Sequence, residues 1–560
     1  MKNIRKTRQQ VVSLAVLCAL LSPSLVFGQA AAPAKSVYTA PKAEIDKILD
    51  EGLNRSQVMA HIGYLTDVIG PRLTNSPNFR RASEWARDTL AKWGTNATLE
   101  AFGPWGRGWS LKSFQIAVTE PTYKPVLAFP SAWTTSTKGP VTAEVMFIDI
   151  KEEKDFEQYK GKLKGKIVMI SSPRELQPDP AGLGAPYSEE ELTKLAHYVK
   201  PPTPVRTQEQ TEAARLAFAR RIAFLFKTQQ LVASEGAAVL IENSQRGSGG
   251  AVMVHNATIT APPDPNIVKT LAGVMPWMKE AEPYVIPTVT MANEDYNRLA
   301  RLIRQGITPK MTVDIQAQFH DEDPLAYNPI AEIPGTDPQL KDEVVMLGAH
   351  LDSWHAGSGA TDNAAGSGVV MEAMRILMAT GLKPRRTIRA ALWSGEEQGL
   401  HGSKAYVEKH FAQLPKPTKE MPKPQPIKGA DYEKLSVYFN LDNGAGKIRG
   451  IYLMDNAAAK PIFEEWLKPF HHLGATTTTM MSRGSSDHIS FDNVGLPGFG
   501  FMQDPLNYML DFGLRTHHTN QDSLDHIQAS DMKQAATIMA ALVYQSATMD
   551  EKMPRKAPNQ

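Results

Sequence analysis

The chain has 560 residues, of which 42% are hydrophobic, 8% aromatic and 21% charged. This composition is typical of a globular protein of several domains and excludes a disordered, collagenous or coiled-coil chain. The 61 basic and 59 acidic residues give a formal net charge of +2. No large basic surplus is therefore available to neutralise a nucleic-acid backbone, and nucleic acid is not an expected partner.

The N-terminus has the pattern of an export signal. Basic residues within the first eight positions precede an apolar run over residues 11–27 and small residues at 28–32. The run contains serine and proline and is shorter than the ~20 residues that a membrane-spanning helix needs. We therefore predict a signal peptide over residues 1–30, export to a bacterial periplasm or the medium, and no stable membrane span after the signal is removed.

Cysteine usage restricts the chemistry of any site. The only cysteine is Cys18, inside the predicted signal. The rest of the chain therefore has no thiolate to form a disulfide, bind zinc or act as a nucleophile. Any metal must be held by His, Asp and Glu.

Hydrophobic periodicity divides the remaining chain into three parts. Apolar residues recur at helical spacing up to Trp93, whereas short β-type runs separated by polar stretches dominate after about Pro121. In the last part, strands and helices alternate, which is typical of a mixed, mostly parallel sheet flanked by helices. We predict an α/β domain formed by residues 44–121 and 312–548, interrupted by a β-rich insert over residues 122–311.

Three buried strands are predicted in the last part, at Val344–Ala349, Thr387–Trp393 and Leu435–Leu441. Helices at Ala364–Ala379 and Gln398–His410 follow the first and the second strand. Ligands of open α/β sheets bind at the carboxyl ends of the strands, so the residues that follow these strands are the candidates for a site.

The polar residues at these strand ends are of one chemical type: His350 and Asp352 follow the first strand, Glu396 and Glu397 the second and Asp442 the third, and Asp362 precedes the first helix. Crowded carboxylates repel one another unless cations compensate, so a divalent metal is the simplest explanation. Taken alone, Asp362 would most often cap a helix and paired glutamates are usually solvated. Only the ordered set points to a metal site.

Two adjacent late histidines, His517 and His518, offer a further imidazole ligand. Imidazole and carboxylate ligands without sulfur suit zinc, with cobalt or manganese as substitutes. A carboxylate that bridges two ions would give a co-catalytic pair, the arrangement seen in aminopeptidases.

This series of motifs resembles that of the dinuclear zinc exopeptidases, the family of bacterial leucyl aminopeptidase and carboxypeptidase Q. The segments that carry the resemblance are His350-Leu351-Asp352, Asp362-Asn363, Glu396-Glu397, Asn440-Leu441-Asp442 and His518-Thr519. Through Gly165–Val168, Gly236–Val239 and Ile286–Val289, the insert resembles the protease-associated domain that many members carry.

The resemblance implies a role for each residue. Asp362 would bridge two zinc ions. His350 and Asp442 would complete one metal site, and Glu397 and His518 the other, with His517 as the alternative to His518. Glu396 would be the general base and Asp352 the carboxylate that orients His350. The resemblance also implies a cis peptide bond between Asp362 and Asn363.

The predicted function is hydrolysis of terminal peptide bonds, by an aminopeptidase or a carboxypeptidase Q-like dipeptidase acting on a peptide substrate. A non-catalytic peptide-binding protein and a zinc-dependent glutaminyl cyclase are the alternatives. The segment Ser486-Asp487-His488 also matches the family, with a pocket role and a structural role both open. Side-chain specificity and oligomeric state stay open, with a homodimer among the options.

Overall fold

The computed structural model describes residues 37–176, 186–201, 207–260, 274–418, 421, 424–506, 508 and 515–556. The predicted signal peptide, residues 1–30, lies outside the described residues. Within the described ranges, no helix is both long enough and apolar enough to span a membrane.

The strands, in chain order, are β1 Asn96–Phe102, β2 Gly108–Glu120, β3 Lys124–Pro125, β4 Ala128–Pro130, β5 Val141–Phe147, β6 Ile167–Met169, β7 Val239–Asn243, β8 Thr288–Met291, β9 Lys310–His320, β10 Ala326–Ile333, β11 Val344–His350, β12 Thr387–Trp393, β13 Ala412–Gln413, β14 Ile427–Lys428, β15 Leu435–Asn440, β16 Ile448–Tyr452, β17 Thr477–Thr479 and β18 Gly498–Gln503. The α-helices are α1 Lys42–Asn54, α2 Val58–Gly63, α3 Pro77–Lys92, α4 Glu189–Ala196, α5 Gln208–Ser234, α6 Asn293–Arg304, α7 Ala365–Thr380, α8 His401–His410, α9 Lys460–Leu467, α10 His488–Asp492 and α11 Ala529–Thr548.

The first large sheet runs in the order β1-β10-β12-β11-β15-β18-β16-β17. Its centre is parallel, because β11 pairs in parallel with β12 and β15, and β15 with β18. Every residue of β11 and β15 is buried, which is why both strands read as continuous apolar runs in the sequence. The predicted mixed α/β fold is confirmed.

Helices cover both faces of this sheet. On one face α7 packs against α11 and α1. On the other face Tyr406 of α8 and Phe491 of α10 pack with Trp393 and Tyr438 of the strands. The carboxyl ends of the parallel strands are thereby fixed between two helical layers, which holds their side chains in place.

The second large sheet runs in the order β3-β2-β9-β5-β6-β7-β8-β4. It is parallel from β5 to β8 and antiparallel where β2, β9 and β4 join. Val145, Ile167, Val239 and Val289 contribute to its core. Its strands β2 and β9 flank the predicted insert on either side, and the division of the chain at 121/122 and 311/312 stays a prediction.

Two parts of the fold differ from the sequence analysis. Residues 208–234 form the 27-residue helix α5, where the sequence analysis expected short β-type runs separated by polar stretches. The helix exposes Leu216, Phe218 and Leu225 by 44%, 51% and 45%, so no clean apolar stripe marks it in the sequence. Strands β1 and β2 also precede the expected start of β structure, and their mostly exposed or half-buried residues explain the weak signal.

Candidate metal centre

The ends of the three predicted strands meet at one edge of the first sheet. His350 is the last residue of β11, and β12 and β15 run parallel on either side of it. Glu396 and Glu397 follow β12, and Asp442 follows β15. Parallel pairing brings all four side chains to the same edge, as the sequence predicted.

Asp362 reaches this edge from the turn before α7. Its backbone (φ −133°, ψ 84°) and that of Asn363 (φ −140°, ψ 46°) are not helical. The peptide bond between them is cis, as the family resemblance implied. Ala364 occupies the N-cap position of α7, with no side-chain capping bond, so Asp362 does not serve as a helix cap.

The two carboxylate oxygens of Asp362 face different histidines. His350 Nε2 lies 3.1 Å from Asp362 Oδ1, and His518 Nε2 lies 3.3 Å from Asp362 Oδ2. His350 Nε2 is also 3.3 Å from Asp442 Oδ1, and His518 Nε2 is 2.8 Å from Glu397 Oε2. We call these five residues the carboxylate–imidazole cluster; it consists of two half-sites that share Asp362.

His517 lies beside the cluster but approaches it less closely. Its ring stacks on that of His518 at 3.7 Å, and its Nε2 is 3.8 Å from Asp362 Oδ2. His518 has a φ of 60°, a left-handed conformation that is costly for a residue with a side chain and that recurs at functional sites. This backbone turns the His518 ring towards both Asp362 and Glu397, so the geometry favours His518 over His517.

Asp352 supports the cluster from behind in two ways. His350 Nδ1 is 2.9 Å from the backbone carbonyl of Asp352 and 3.6 Å from its carboxylate. The carbonyl therefore accepts the ring proton, whereas the sequence analysis expected the carboxylate to do so. The carboxylate instead accepts hydrogen bonds at 3.3 Å from the backbone amides of Glu396 and Glu397. Asp352 thus fixes the positions of both glutamates.

The residues of the cluster shift one another's pKa values. Burial alone would lower the pKa of His518, but Glu397 and Asp362 raise it to about 10. Burial alone would likewise raise the pKa of Asp362, but His350 and His518 hold it well below its usual range. In the metal-free protein, protons on the imidazoles therefore compensate the carboxylates, and a divalent cation would take the place of those protons.

Glu396 stands apart from these contacts. Burial raises the pKa of its carboxyl group well above the usual range; His350 opposes the rise, and the carboxylates of Asp442 and Asp487 add to it. A carboxyl group with a high affinity for protons, next to the cluster but not paired within it, has the character of a general base or acid.

The residues present fit a metal. Among the described residues, several buried ligand atoms have no hydrogen-bond partner: His350 Nε2, Asp362 Oδ2, Glu397 Oε1 and Asp442 Oδ1. Unpartnered buried polar atoms are costly unless something else satisfies them. Three overlapping groups of side chains place their ligand atoms within 4.8 Å of one another: Asp362, His517 and His518; His350, Asp362 and Glu397; and His350, Glu396 and Asp442.

Three residues that the sequence analysis missed hold this arrangement. The buried guanidinium of Arg72 donates to the carbonyls of Leu351, Ser358 and Gly359 at 2.8–2.9 Å, which fixes the loop between β11 and Asp362. The Thr74 hydroxyl donates to the Asp352 carboxylate at 2.9 Å.

Asp522 is the third. Its carboxylate accepts from the amide and the hydroxyl of Thr361 at 2.6 and 2.8 Å and from the amide of Asp362 at 3.1 Å. It thereby clamps the turn that carries Asp362. Asp522 lies only four positions after His518, and this nearness was the one available signal.

The cluster opens into a cavity of about 670 Å³. Ser486 and His488 line it, together with Lys404, Arg483 and Asn443. The Ser486 hydroxyl accepts from the side-chain amide of Asn440 at 2.8 Å. Of the segment 486–488, Ser486 and His488 therefore face the cavity, which favours a pocket role for these two residues.

A parallel sheet edge that gathers imidazoles and carboxylates without a thiolate, in front of a cavity, is the architecture of a metal-dependent hydrolase. The family model described as Peptidase family M28 matches residues 328–543. The matched residues contain all five members of the cluster, and the chain is a metallopeptidase that is similar to this family.

Individual proteins are also similar to the chain, in sequence or in fold. The chain is similar to carboxypeptidase Q of Mus musculus, with 25% identity over 508 residues that cover 90% of this chain and 88% of the relative. Its fold is similar to the crystal structure of a peptidase M28 precursor from Shewanella amazonensis, with a TM-score of 0.60, 22% identity and coverage of 92% and 98%. It is also similar in fold to a zinc aminopeptidase from Bacillus subtilis, with a TM-score of 0.52, 19% identity and coverage of 89% and 97%.

Proposed function

We propose that the chain is an exported exopeptidase that hydrolyses terminal peptide bonds of peptides or dipeptides, with two zinc ions held around Asp362. The observation that carries the proposal is the approach of His350 and His518 to opposite oxygens of the Asp362 carboxylate, at 3.1 and 3.3 Å. A carboxylate placed in this way can bridge the ions of a two-metal site, with one oxygen facing each ion. The zinc aminopeptidase of similar fold supports zinc as the metal, and cobalt or manganese suit the same ligands.

The proposed ligands divide between two half-sites. His350 and Asp442 would hold one ion together with Asp362, and Glu397 and His518 would hold the other. When bound, zinc lowers the pKa of water and polarises the carbonyl of the scissile bond. Two complete half-sites also argue against a glutaminyl cyclase that uses a single zinc.

Proton transfer belongs to Glu396. Its carboxylate would accept a proton from the attacking water and return one to the leaving amine, because it lies beside the cluster without being paired in it. Asp352 would act as a positioning residue, since it accepts from the amides of both Glu396 and Glu397. The presence of Glu396 and of every ligand argues against a non-catalytic peptide-binding protein.

The proposal extends to processing and domain organisation. Residues 1–30 would be removed as a signal peptide during export. Residues 44–121 and 312–548 would form the catalytic domain, and residues 122–311 a protease-associated insert. Sequencing of the N-terminus of the chain recovered from the periplasm or medium tests the first part: a start between residues 28 and 33 is expected, and an intact Met1 in all fractions would contradict export.

The activity itself is tested with the purified chain on short unmodified peptides. We expect release of single amino acids, loss of activity after treatment with a chelator, and recovery on addition of zinc. Hydrolysis that continues undiminished after the chelator has removed all metal would refute the proposed chemistry. Internal cleavage of long peptides, with no release of single residues, would refute the exopeptidase assignment.

A further inference from the structure

The cavity in front of the cluster has an asymmetric distribution of charge. Its lining includes the carboxylates of Asp362, Glu396, Glu397 and Asp442, all of which belong to the site already described. The other charged lining side chains, apart from the histidines, are the cations Lys404 and Arg483. Beyond the site, the lining residues that the structure describes therefore offer positive charge and no further acid.

The two cations come from different elements. Lys404 lies in α8, the helix that follows Glu396 and Glu397, and its ammonium group donates to the Gly399 carbonyl at 2.7 Å. Arg483 lies in the loop before α10, where its own carbonyl is 2.8 Å from His488 Nε2. The same loop continues to Ser486, which is bonded to Asn440, two residues before Asp442. Lys404 is thus close in the chain to Glu396 and Glu397, and the loop of Arg483 is hydrogen-bonded next to Asp442.

Neither cation has an acidic partner among the residues that the structure describes. Within the described part of the chain, no ion pair involves Lys404 or Arg483, although the half-buried Arg449 pairs with Asp504 at 3.4 Å and Arg107 with Asp321 at 2.6 Å. Arg483 is also half-buried, and the polar contact of its guanidinium is the Tyr452 hydroxyl at 3.4 Å. A partly desolvated guanidinium with donors to spare favours an anionic ligand.

We propose that Arg483, assisted by Lys404, binds the free α-carboxylate of the substrate and so selects short peptides with an unmodified C-terminus. This inference rests on the proposed exopeptidase function. A guanidinium matches a carboxylate with two parallel hydrogen bonds, which fixes orientation as well as charge. An α-ammonium group at the same place would face like charges, so the cationic wall receives the C-terminal end of the substrate.

Binding of the α-carboxylate by Arg483 predicts which substrates the enzyme discriminates against. A site built to pair with a buried charged group rejects an analogue that lacks it, because the site's own polar groups are then left unpaired. A C-terminal amide should therefore be a poor substrate. The same cations could also bind a carboxylate on the substrate's side chain. A peptide amide with an acidic side chain tests this alternative, because it has a side-chain carboxylate but no α-carboxylate.

The experiment measures kcat and KM for the zinc-loaded enzyme with Ala-Leu, Ala-Leu amide and Ala-Glu amide. For the wild type we expect kcat/KM for Ala-Leu to exceed that for both amides by about 10- to 100-fold, the usual effect of a lost charge-assisted hydrogen bond. Arg483→Gln should lower kcat/KM for Ala-Leu to about the level of the amides, mainly through KM, and leave the amides unchanged. Arg483→Lys should retain part of the preference, and Lys404→Gln should lose a smaller part.

Lys533→Gln is the matched control, because Lys533 lines a separate cavity; it should leave the preference intact. Equal hydrolysis of Ala-Leu and its amide by the wild type would overturn the inference while the exopeptidase function stands. Efficient hydrolysis of Ala-Glu amide would overturn the assignment to the α-carboxylate. A wild type that cleaves none of the three peptides, nor any other short peptide, would refute the proposed function and this inference with it.

Discussion

Two buried glutamates, Glu372 of α7 and Glu397 of the cluster, show opposite ways of placing a carboxylate inside this protein. Glu372 accepts hydrogen bonds from the amide of Gln57 at 2.9 Å and from Arg375 at 2.8 Å, and it lies 3.2 Å from His61. Burial alone would raise the pKa of Glu372, but His61, Arg375 and Gln57 lower it to about 2. Its charge is fully compensated by the protein.

Glu397 is as deeply buried, with a side-chain exposure of 1% against 0% for Glu372. Within the described residues its Oε1 has no hydrogen-bond partner. Burial, together with the charge of Asp362, raises its pKa, and His518 only partly opposes this. Among the described residues, Glu397 therefore has a buried oxygen without a hydrogen-bond partner, whereas Glu372 has none.

Glu372 thus represents the polar groups that stabilise the fold, and Glu397 those that are available to bind a ligand. The Glu372 network joins three helices, because Arg375 of α7 also donates to Glu51 of α1 and His61 belongs to α2. A network of buried charges with all its hydrogen bonds made stabilises such packing, whereas buried polar atoms without partners lower stability unless a ligand binds them. Substitutions in the two regions should therefore separate stability from activity.

Among substitutions that leave every proposed metal ligand in place, Glu396→Gln should have the largest effect on activity. The substitution removes the proton acceptor but no proposed ligand, so kcat should fall by roughly 10²- to 10⁴-fold. Metal content and unfolding temperature should stay as in the wild type. The exposed Glu408 offers the matched control, and Glu408→Gln should leave kcat unchanged. Wild-type turnover in Glu396→Gln would place the base elsewhere.

Glu372→Ala should do the reverse. It leaves the buried Arg375 and its neighbour His61 without their shared carboxylate, and breaking such a pair costs about 3 kcal/mol or more of unfolding free energy. Denaturant titration measures this loss. The activity of the molecules that remain folded should equal that of the wild type; a loss of kcat without a loss of stability would contradict the distinction between the two regions.

The pH dependence of the free energy of unfolding tests whether Glu372 stabilises the fold through its charge. The pKa of Glu372 falls from an ordinary value of 4.5 to about 2 on folding. Its contribution is therefore present above pH 4.5 and is lost as the pH falls towards 2, by about 3 kcal/mol in total. Unfolding of the metal-free protein at a series of pH values should show this slope, and Glu372→Gln, which has no titrating group there, should show a shallower one. Identical slopes would contradict the assignment.

Thr74→Val should lower activity less than Glu396→Gln does. It removes the hydroxyl that donates to Asp352, and loss of such a supporting bond commonly costs about 10-fold or more in activity or metal affinity. Thr74→Ser keeps the hydroxyl and should restore most of the activity. If valine and serine behave alike, the hydroxyl does not position Asp352.

The sequence could predict the strands that carry the site, because β11 and β15 are buried on both faces, β12 is buried over its last four residues, and all three contain short apolar runs. It could also predict which residues end them. It could not predict Arg72 or Thr74, because their partners lie about 280 positions away in the chain and local periodicity carries no trace of such contacts. The role of the Asp352 carbonyl was missed for a related reason, since a backbone acceptor leaves no residue type to recognise.

The central claim is that Asp362 joins two metal half-sites, and its most direct test is the metal content of the purified chain beside that of Asp362→Ala. Elemental analysis should give about two zinc equivalents per wild-type chain and a loss of both from Asp362→Ala. Replacement of the shared carboxylate should remove peptidase activity as well. A wild type that holds a single equivalent, or an Asp362→Ala variant that retains two, would contradict the bridging role.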